Sequence, residues 1–176
     1  MDYGKFNDAM AHAKSIGDDG SYAEAQRHYQ ILLRKKLDIN QYATVSIGRA
    51  SCFLRAADAD SAAKVLDEIC LEGLDETVQA VIHNVKAHAF HELGNYEKAI
   101  AAGQNAQKIA SKLGAGGLDV LGEALSRQGF AEAELGRLTE ASEHLAMARR
   151  MPVDESISRS ISLYTEQFHL NYPRFL

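Results

Sequence analysis

Three short stretches of this chain carry nearly the same message: Gly20-Ser21-Tyr22-Ala23-Glu24-Ala25, Gly94-Asn95-Tyr96-Glu97-Lys98-Ala99 and Gly136-Arg137-Leu138-Thr139-Glu140-Ala141. A fourth copy, Ala57-Asp58-Ala59-Asp60-Ser61-Ala62, keeps the pattern with Ala57 in place of the glycine. Glycine is the usual residue just past a helix C-terminus, where the backbone turns left-handed, and Ser, Asn or Asp beside it can cap the next helix. Each stretch therefore predicts a hinge between two helices, and Ser21 with Glu24 predicts a capping box. Self-similarity at this spacing marks stacked helix pairs, because one pair cannot bury its apolar face alone.

Aligning the four hinges on their closing alanines, Ala25, Ala62, Ala99 and Ala141, gives spacings of 37, 37 and 42 residues. Further columns fall into register. Seven residues before each hinge stand the small residues Ala13, Ala50, Ala87 and Gly129, followed by Ile16, Phe53 and Phe90, with Glu132 breaking the series. After the hinge come Tyr22, Ala59, Tyr96 and Leu138, then Leu32, Ile69, Ala106 and Ala148. Small residues let helix backbones approach at a crossing, and larger ones fill the grooves between ridges. The pattern predicts helix pairs at 5–18 and 21–37, 40–56 and 59–71, 76–93 and 96–113, and 118–135 and 138–150. A ninth helix follows Pro152, with Asp154 as its cap and Ile157, Ile161, Tyr164 and Phe168 along one face.

These columns resemble the tetratricopeptide repeat (TPR), with its small residue in helix A, its Gly-Asn/Asp-Tyr hinge and its alanine in helix B. The resemblance covers roughly residues 6 to 155. It implies an all-α, right-handed α-α superhelix of about four TPR helix pairs plus a C-terminal capping helix. The whole of 1–176 would form a single TPR domain, with repeats near 6–39, 43–76, 80–113 and 118–152 and the capping helix at 154–170. The repeats are longer than the family's 34 residues, and the longest insertion surrounds Gly114-Ala115-Gly116-Gly117.

The resemblance further implies a concave face lined by helix A side chains. Projected onto this chain, that face takes Asn7, Met10, Ala11, Lys14, Gly17 and Asp18 in the first repeat, and Thr44, Ile47, Gly48, Ser51, Leu54 and Arg55 in the second. The third repeat supplies Val81, Asn84, Val85, His88, His91 and Glu92, and the fourth Glu123, Ser126, Arg127, Phe130, Ala133 and Glu134. The candidate partner-binding residues are Lys14, Arg55, Asn84, His88, His91, Glu92, Arg127 and Phe130. A carboxylate clamp of the kind some TPR proteins use needs convergent cations and amides. Here Glu123 stands one turn from Arg127, where it would repel a carboxylate and pair with the arginine instead.

Other chemistry finds little footing. His88, His91 and Glu92 share a helical stripe with Asn84, but the second histidine of an HExxH zinc site is absent. Gly114-Ala115-Gly116-Gly117 lacks the Lys-Ser/Thr of a phosphate loop and reads as an inter-repeat turn. Ser, His and Asp are scattered without a nucleophile elbow, so no catalytic residue, metal or cofactor is expected. Net charge is −5, split evenly between residues 1–75 (9 Lys+Arg, 12 Asp+Glu) and the remainder (10 and 12). That balance lacks the basic footprint of a nucleic-acid or anionic-membrane binder. Cys52 and Cys70 are too far apart for a CxxC motif and read as buried reduced thiols. With no apolar leader and no run of about 20 apolar residues, the expected location is cytoplasmic.

The sequence thus points to a non-catalytic scaffold or adaptor that holds a peptide or partner helix. A peptide- or ligand-responsive sensor and a homo-oligomeric assembly protein are the alternatives. For the last, Tyr164, Phe168, Tyr172 and Phe175 mark a candidate oligomer surface on the final helix and tail.

Overall fold

The fold was obtained as a computed structural model and describes residues 2–175. Among them the chain is all-helical, with nine α-helices and no strand. The helices are α1 (Tyr3–Asp18), α2 (Tyr22–Leu33), α3 (Ile39–Arg55), α4 (Ala59–Asp67), α5 (Glu76–Glu92), α6 (Tyr96–Ala110), α7 (Leu118–Glu134), α8 (Leu138–Arg149) and α9 (Glu155–Asn171). Short 3-10 turns occupy Gly114–Gly117 and Pro173–Phe175. The chain divides between Val78 and Gln79 into two compact units.

All four hinges have one backbone solution. Gly20, Ala57, Gly94 and Gly136 sit at φ of 86°, 59°, 70° and 75°. Each hinge residue returns its N–H three residues back, to Gly17, Leu54, His91 and Ala133. The residue after it returns its N–H five back: Ser21 to Ile16, Asp58 to Phe53, Asn95 to Phe90 and Arg137 to Glu132, at 2.8–3.1 Å. This is the Schellman closure, which satisfies the helix's orphan carbonyls. The capping box expected at Ser21 does not form, and Asn95 and Asp154 likewise make no side-chain cap bond. Ser21 and Asn95 lie at ψ near 60°, off the extended backbone of a regular N-cap. At the same kind of ψ the Asp58 carboxylate still reaches the Ser61 N–H (3.1 Å). A full capping box appears instead at Asp38 and Gln41, opening α3.

The second helices of the pairs are shorter than the pattern predicts: α2, α4 and α6 end at Leu33, Asp67 and Ala110. Past α4 the chain runs irregularly through buried Ile69 and Leu74 and turns at left-handed Gly73.

In the first unit α1, α2, α3 and α4 pack in sequence, with α1 also touching α3. Phe6, Ala13, Ala25, Tyr29, Leu32, Val45 and Cys52 form one core cluster. In the second unit α7 is central, packed by α6, α8 and α9. Both alanine columns are inside: Ala13, Ala50 and Ala87, and Ala25, Ala62, Ala99 and Ala141, are all buried. Gly129 shows why its column is small. A Cβ there would lie 3.0 Å from the Ala141 carbonyl oxygen and 3.0 Å from Leu145 Cγ.

Glu132, which breaks the apolar column, is 5% exposed yet fully engaged. Its carboxylate meets His144 Nδ1 at 2.7 Å and accepts from Gln128 Nε2 at 2.7 Å, and Gln128 Oε1 accepts from Gln107 Nε2 at 2.7 Å. A buried carboxylate is tolerated only when so partnered. The Glu132 hydrogen bond raises the His144 pKa above the ordinary imidazole value despite opposing desolvation.

α9 closes the second unit by laying Ile161 against Leu125 and Ala148, and Phe168 against Ala133, Ala141 and Leu145. Phe168 is 1% exposed, so it belongs to the core and is unavailable to the oligomer surface expected of it. The spacing identified the right face, but that face is spent on α7 and α8. The outward apolar residues of α9 are Leu163 and Leu170.

Three stability measurements follow. Ala57→Gly is expected to stabilise by about 0.5–1 kcal/mol in urea melts, since a left-handed Ala is strained by about 1–2 kcal/mol and glycine's greater unfolded-state freedom takes part of that back. Phe168→Ala is expected to cost about 3–5 kcal/mol, against about 0.5 kcal/mol or less for Leu163→Ala. Because the folded His144 pKa is raised, its stabilisation is complete below the unfolded value and fades as pH climbs through the folded one. Wild type should therefore lose more stability than His144→Gln between mildly acidic and alkaline pH; parallel pH profiles would contradict this.

Candidate functional site

The first unit holds a pocket of about 290 Å³ between α1 and α3. Met10, Ala11, Lys14 and Asp18 line it from α1, and Thr44, Ile47, Gly48, Ser51, Cys52 and Arg55 from α3. Nine of these are positions that the repeat register projects onto the helix A face. The register missed Tyr29 of α2, which forms the floor, and Cys52.

Gly48 was the available signal for that floor. A Cβ at Gly48 would lie 2.8 Å from the Tyr29 ring and 3.0 Å from its hydroxyl, so the missing side chain leaves room for the tyrosine under α3. Tyr29 is 3% exposed, and burial pushes its pKa up to about 12. It is a neutral phenol at physiological pH. Burial also raises the Cys52 thiol above its ordinary value, which leaves it a poor nucleophile, whereas Cys70, expected to be buried, is exposed on the irregular stretch past α4.

The rim is ionic. Asp18 accepts from Lys14 Nζ at 2.9 Å and from Arg55 Nη1 at 2.6 Å, and these two hydrogen bonds, Lys14's first, hold its carboxyl below the usual range. Arg55 also stacks over the Tyr22 ring, 5.4 Å from the centroid, which fixes its guanidinium at the pocket mouth. Lys14 and Arg55 therefore both belong to a built pocket, with a rim carrying one net positive charge.

The other candidates lie in the second unit. Asn84 is 3% exposed, and its Nδ2 donates to Glu123 at 2.5 Å. It is a buried structural amide, a role that helical projection could not reveal because Glu123 lies 39 residues on. Arg127 pairs with Glu123 at 3.5 Å, as the i, i+4 spacing anticipates. His91 packs its ring on Tyr96 and Phe130, and Phe130 continues onto Tyr164, with centroids 5.2–5.5 Å apart. Asn84 Oδ1, His91 Nε2, and Arg127 Nε and Nη1 are buried without a hydrogen-bond partner. Glu92 stays half-exposed, 3.7 Å from His88 and 3.5 Å from His91.

His88 is pushed down to about 3, first by burial and then by the charges of Arg127 and His91, so it faces Glu92 as a neutral imidazole. Tyr172 packs against the Phe168 cluster and points its hydroxyl at the Ala133 carbonyl, 3.4 Å away. Of the candidate oligomer residues, Tyr164 and Tyr172 are half-buried, and the Phe175 side chain lies outside the described residues. An NMR titration should find the His88 imidazole neutral from pH 8 down to about 4, with stability falling as pH drops below the ordinary histidine range. The His88 side chain is 30% exposed, and protonation near pH 6.5 would contradict the neutral imidazole assigned to it.

Among the described residues no three His, Cys, Asp or Glu side chains group to hold a metal ion, and no helix is long and apolar enough to cross a membrane. No protein-family profile matches the chain, and no match is found among curated proteins or solved structures.

Proposed function

We propose that the protein is a non-catalytic interaction scaffold of the TPR type, its helix pairs wound as a right-handed superhelix, and that it holds an extended partner segment on the face formed by the first helix of each pair. The observation that carries this reading is the α1–α3 pocket. Its walls come from successive first helices at the positions where the repeat register places a binding face. Its apolar interior with a few convergent polar groups is the composition of a recognition pocket. The four identical Schellman hinges support the repeat assignment, since a common turn geometry gives each pair the same relation between its two helices.

An inert thiol and a neutral buried phenol give the pocket no activated nucleophile, which favours binding over catalysis. The balanced charge points to a protein or peptide partner rather than nucleic acid or a membrane surface.

Panning a displayed library of random peptides against the purified protein tests the proposal. Enriched sequences should bind wild type and lose at least about tenfold in affinity to Ala11→Trp, which narrows the pocket mouth from an exposed position. Failure to enrich any peptide, or full binding by a folded Ala11→Trp protein, would remove the proposal.

A further inference from the structure

The chemistry of the α1–α3 pocket says more than that something binds there. Its walls, Met10, Ala11, Ile47 and the Tyr29 ring, are apolar, and its volume of about 290 Å³ is at the small end for a ligand cavity. That is room for a side chain or two. The polar groups are unevenly distributed. Around the cavity stand the Tyr29, Thr44 and Ser51 hydroxyls, the Lys14 ammonium and the Arg55 guanidinium, with the Thr44 hydroxyl already donating to the Asn40 carbonyl at 2.8 Å, against one carboxylate, Asp18.

Tyr29 is 3% exposed, and its hydroxyl tip lies at Gly48, on the cavity wall. From that wall the hydroxyl can donate to an acceptor that a guest brings into the cavity. With its pKa raised, the phenol keeps its proton and donates at neutral pH. Asp18 takes one bond from each cation, and after it is counted the rim retains a single positive charge.

We infer that this pocket receives the bulky apolar side chain of a partner segment that carries an acidic residue next to it. The apolar side chain displaces water from between α1 and α3. The neighbouring carboxylate lies at the Lys14–Arg55 rim, where its acceptor oxygens meet the surplus donors. A basic residue at the same place would face both cations with only Asp18 to offset them.

The inference rests on the peptide-binding reading above for its setting, and the experiment separates the two. A set of short synthetic peptides keeps one flanking sequence while the central residue is Leu, Phe or Ala and its neighbour is Asp, Asn or Lys, with binding followed by calorimetry. The Leu-Asp and Phe-Asp peptides should bind at least about tenfold more tightly than their Ala-centred or Lys-flanked counterparts. Two wall variants, Ala11→Trp and Ser51→Trp, should abolish the preference for Leu and Phe over Ala, and melts of each identify the one that remains folded. Arg55→Gln should shrink the Asp-over-Lys preference while keeping the Leu-over-Ala one.

Peptides that bind without either preference, or a Lys-flanked peptide that binds as well as the Asp-flanked one, would overturn the inference and leave the scaffold reading standing. Should no peptide from the set or from the random library bind, both fall together.

Discussion

The left-handed turn that closes each helix pair is the constraint on which the rest of the fold depends. Turning the chain back within two residues leaves orphan carbonyls at the end of the first helix, and each hinge satisfies them with two backbone N–H groups. That closure sets how the second helix leaves the first, and small residues at the crossing then decide how closely the two approach. At Gly129 and Ala141 the allowance is under one methyl group. Where the hinge carries alanine, as at Ala57, the same bonds form on a strained backbone.

The first unit's pocket is a by-product of that regularity. Close packing of α1, α2 and α3 would ordinarily fill the space beneath α3, but Gly48 leaves it open and Tyr29 enters from α2 as a floor rather than a plug. Lys14 and Arg55 at the mouth share the Asp18 carboxylate, and Arg55 also rests on the Tyr22 ring, which would restrict the guanidinium before the proposed partner segment arrives. Such preorganisation would lower the entropy lost in the proposed binding.

Much of this architecture was legible in the residues. Hinges, alanine columns and the apolar face of α9 are local or periodic signals, and helical geometry converts them directly into placement. Sequence reasoning failed where a side chain's fate depends on a distant partner. Asn84 reads as a groove residue until Glu123 is brought beside it. Phe168 lies on the face expected to cap the last repeat, and only its second reading, as part of an oligomer surface, is lost once α7 and α8 are laid across it. Arg137 stands where the other hinges carry Ser21, Asp58 and Asn95, and its guanidinium reaches Glu97 at the neighbouring hinge 40 residues earlier. Ser21 offers the right residue type for a cap on the wrong backbone torsion. Of the candidate site, Lys14 and Arg55 were found by register alone, whereas Tyr29 required noticing what a glycine leaves room for.

The buried chain of Gln107, Gln128, Glu132 and His144 bears on how such an array can diversify. An array of interchangeable repeats could be lengthened or shuffled by duplicating a helix pair, because every junction would be equivalent. Here the junctions among α6, α7 and α8 carry an amide and a carboxylate that are satisfied only by that particular succession of helices. A copy of α7 inserted beside any other helix would arrive with Glu132 and Gln128 in search of partners. The last two pairs are therefore keyed to one another, and duplication or recombination within this part of the chain would need compensating changes on at least two helices at once.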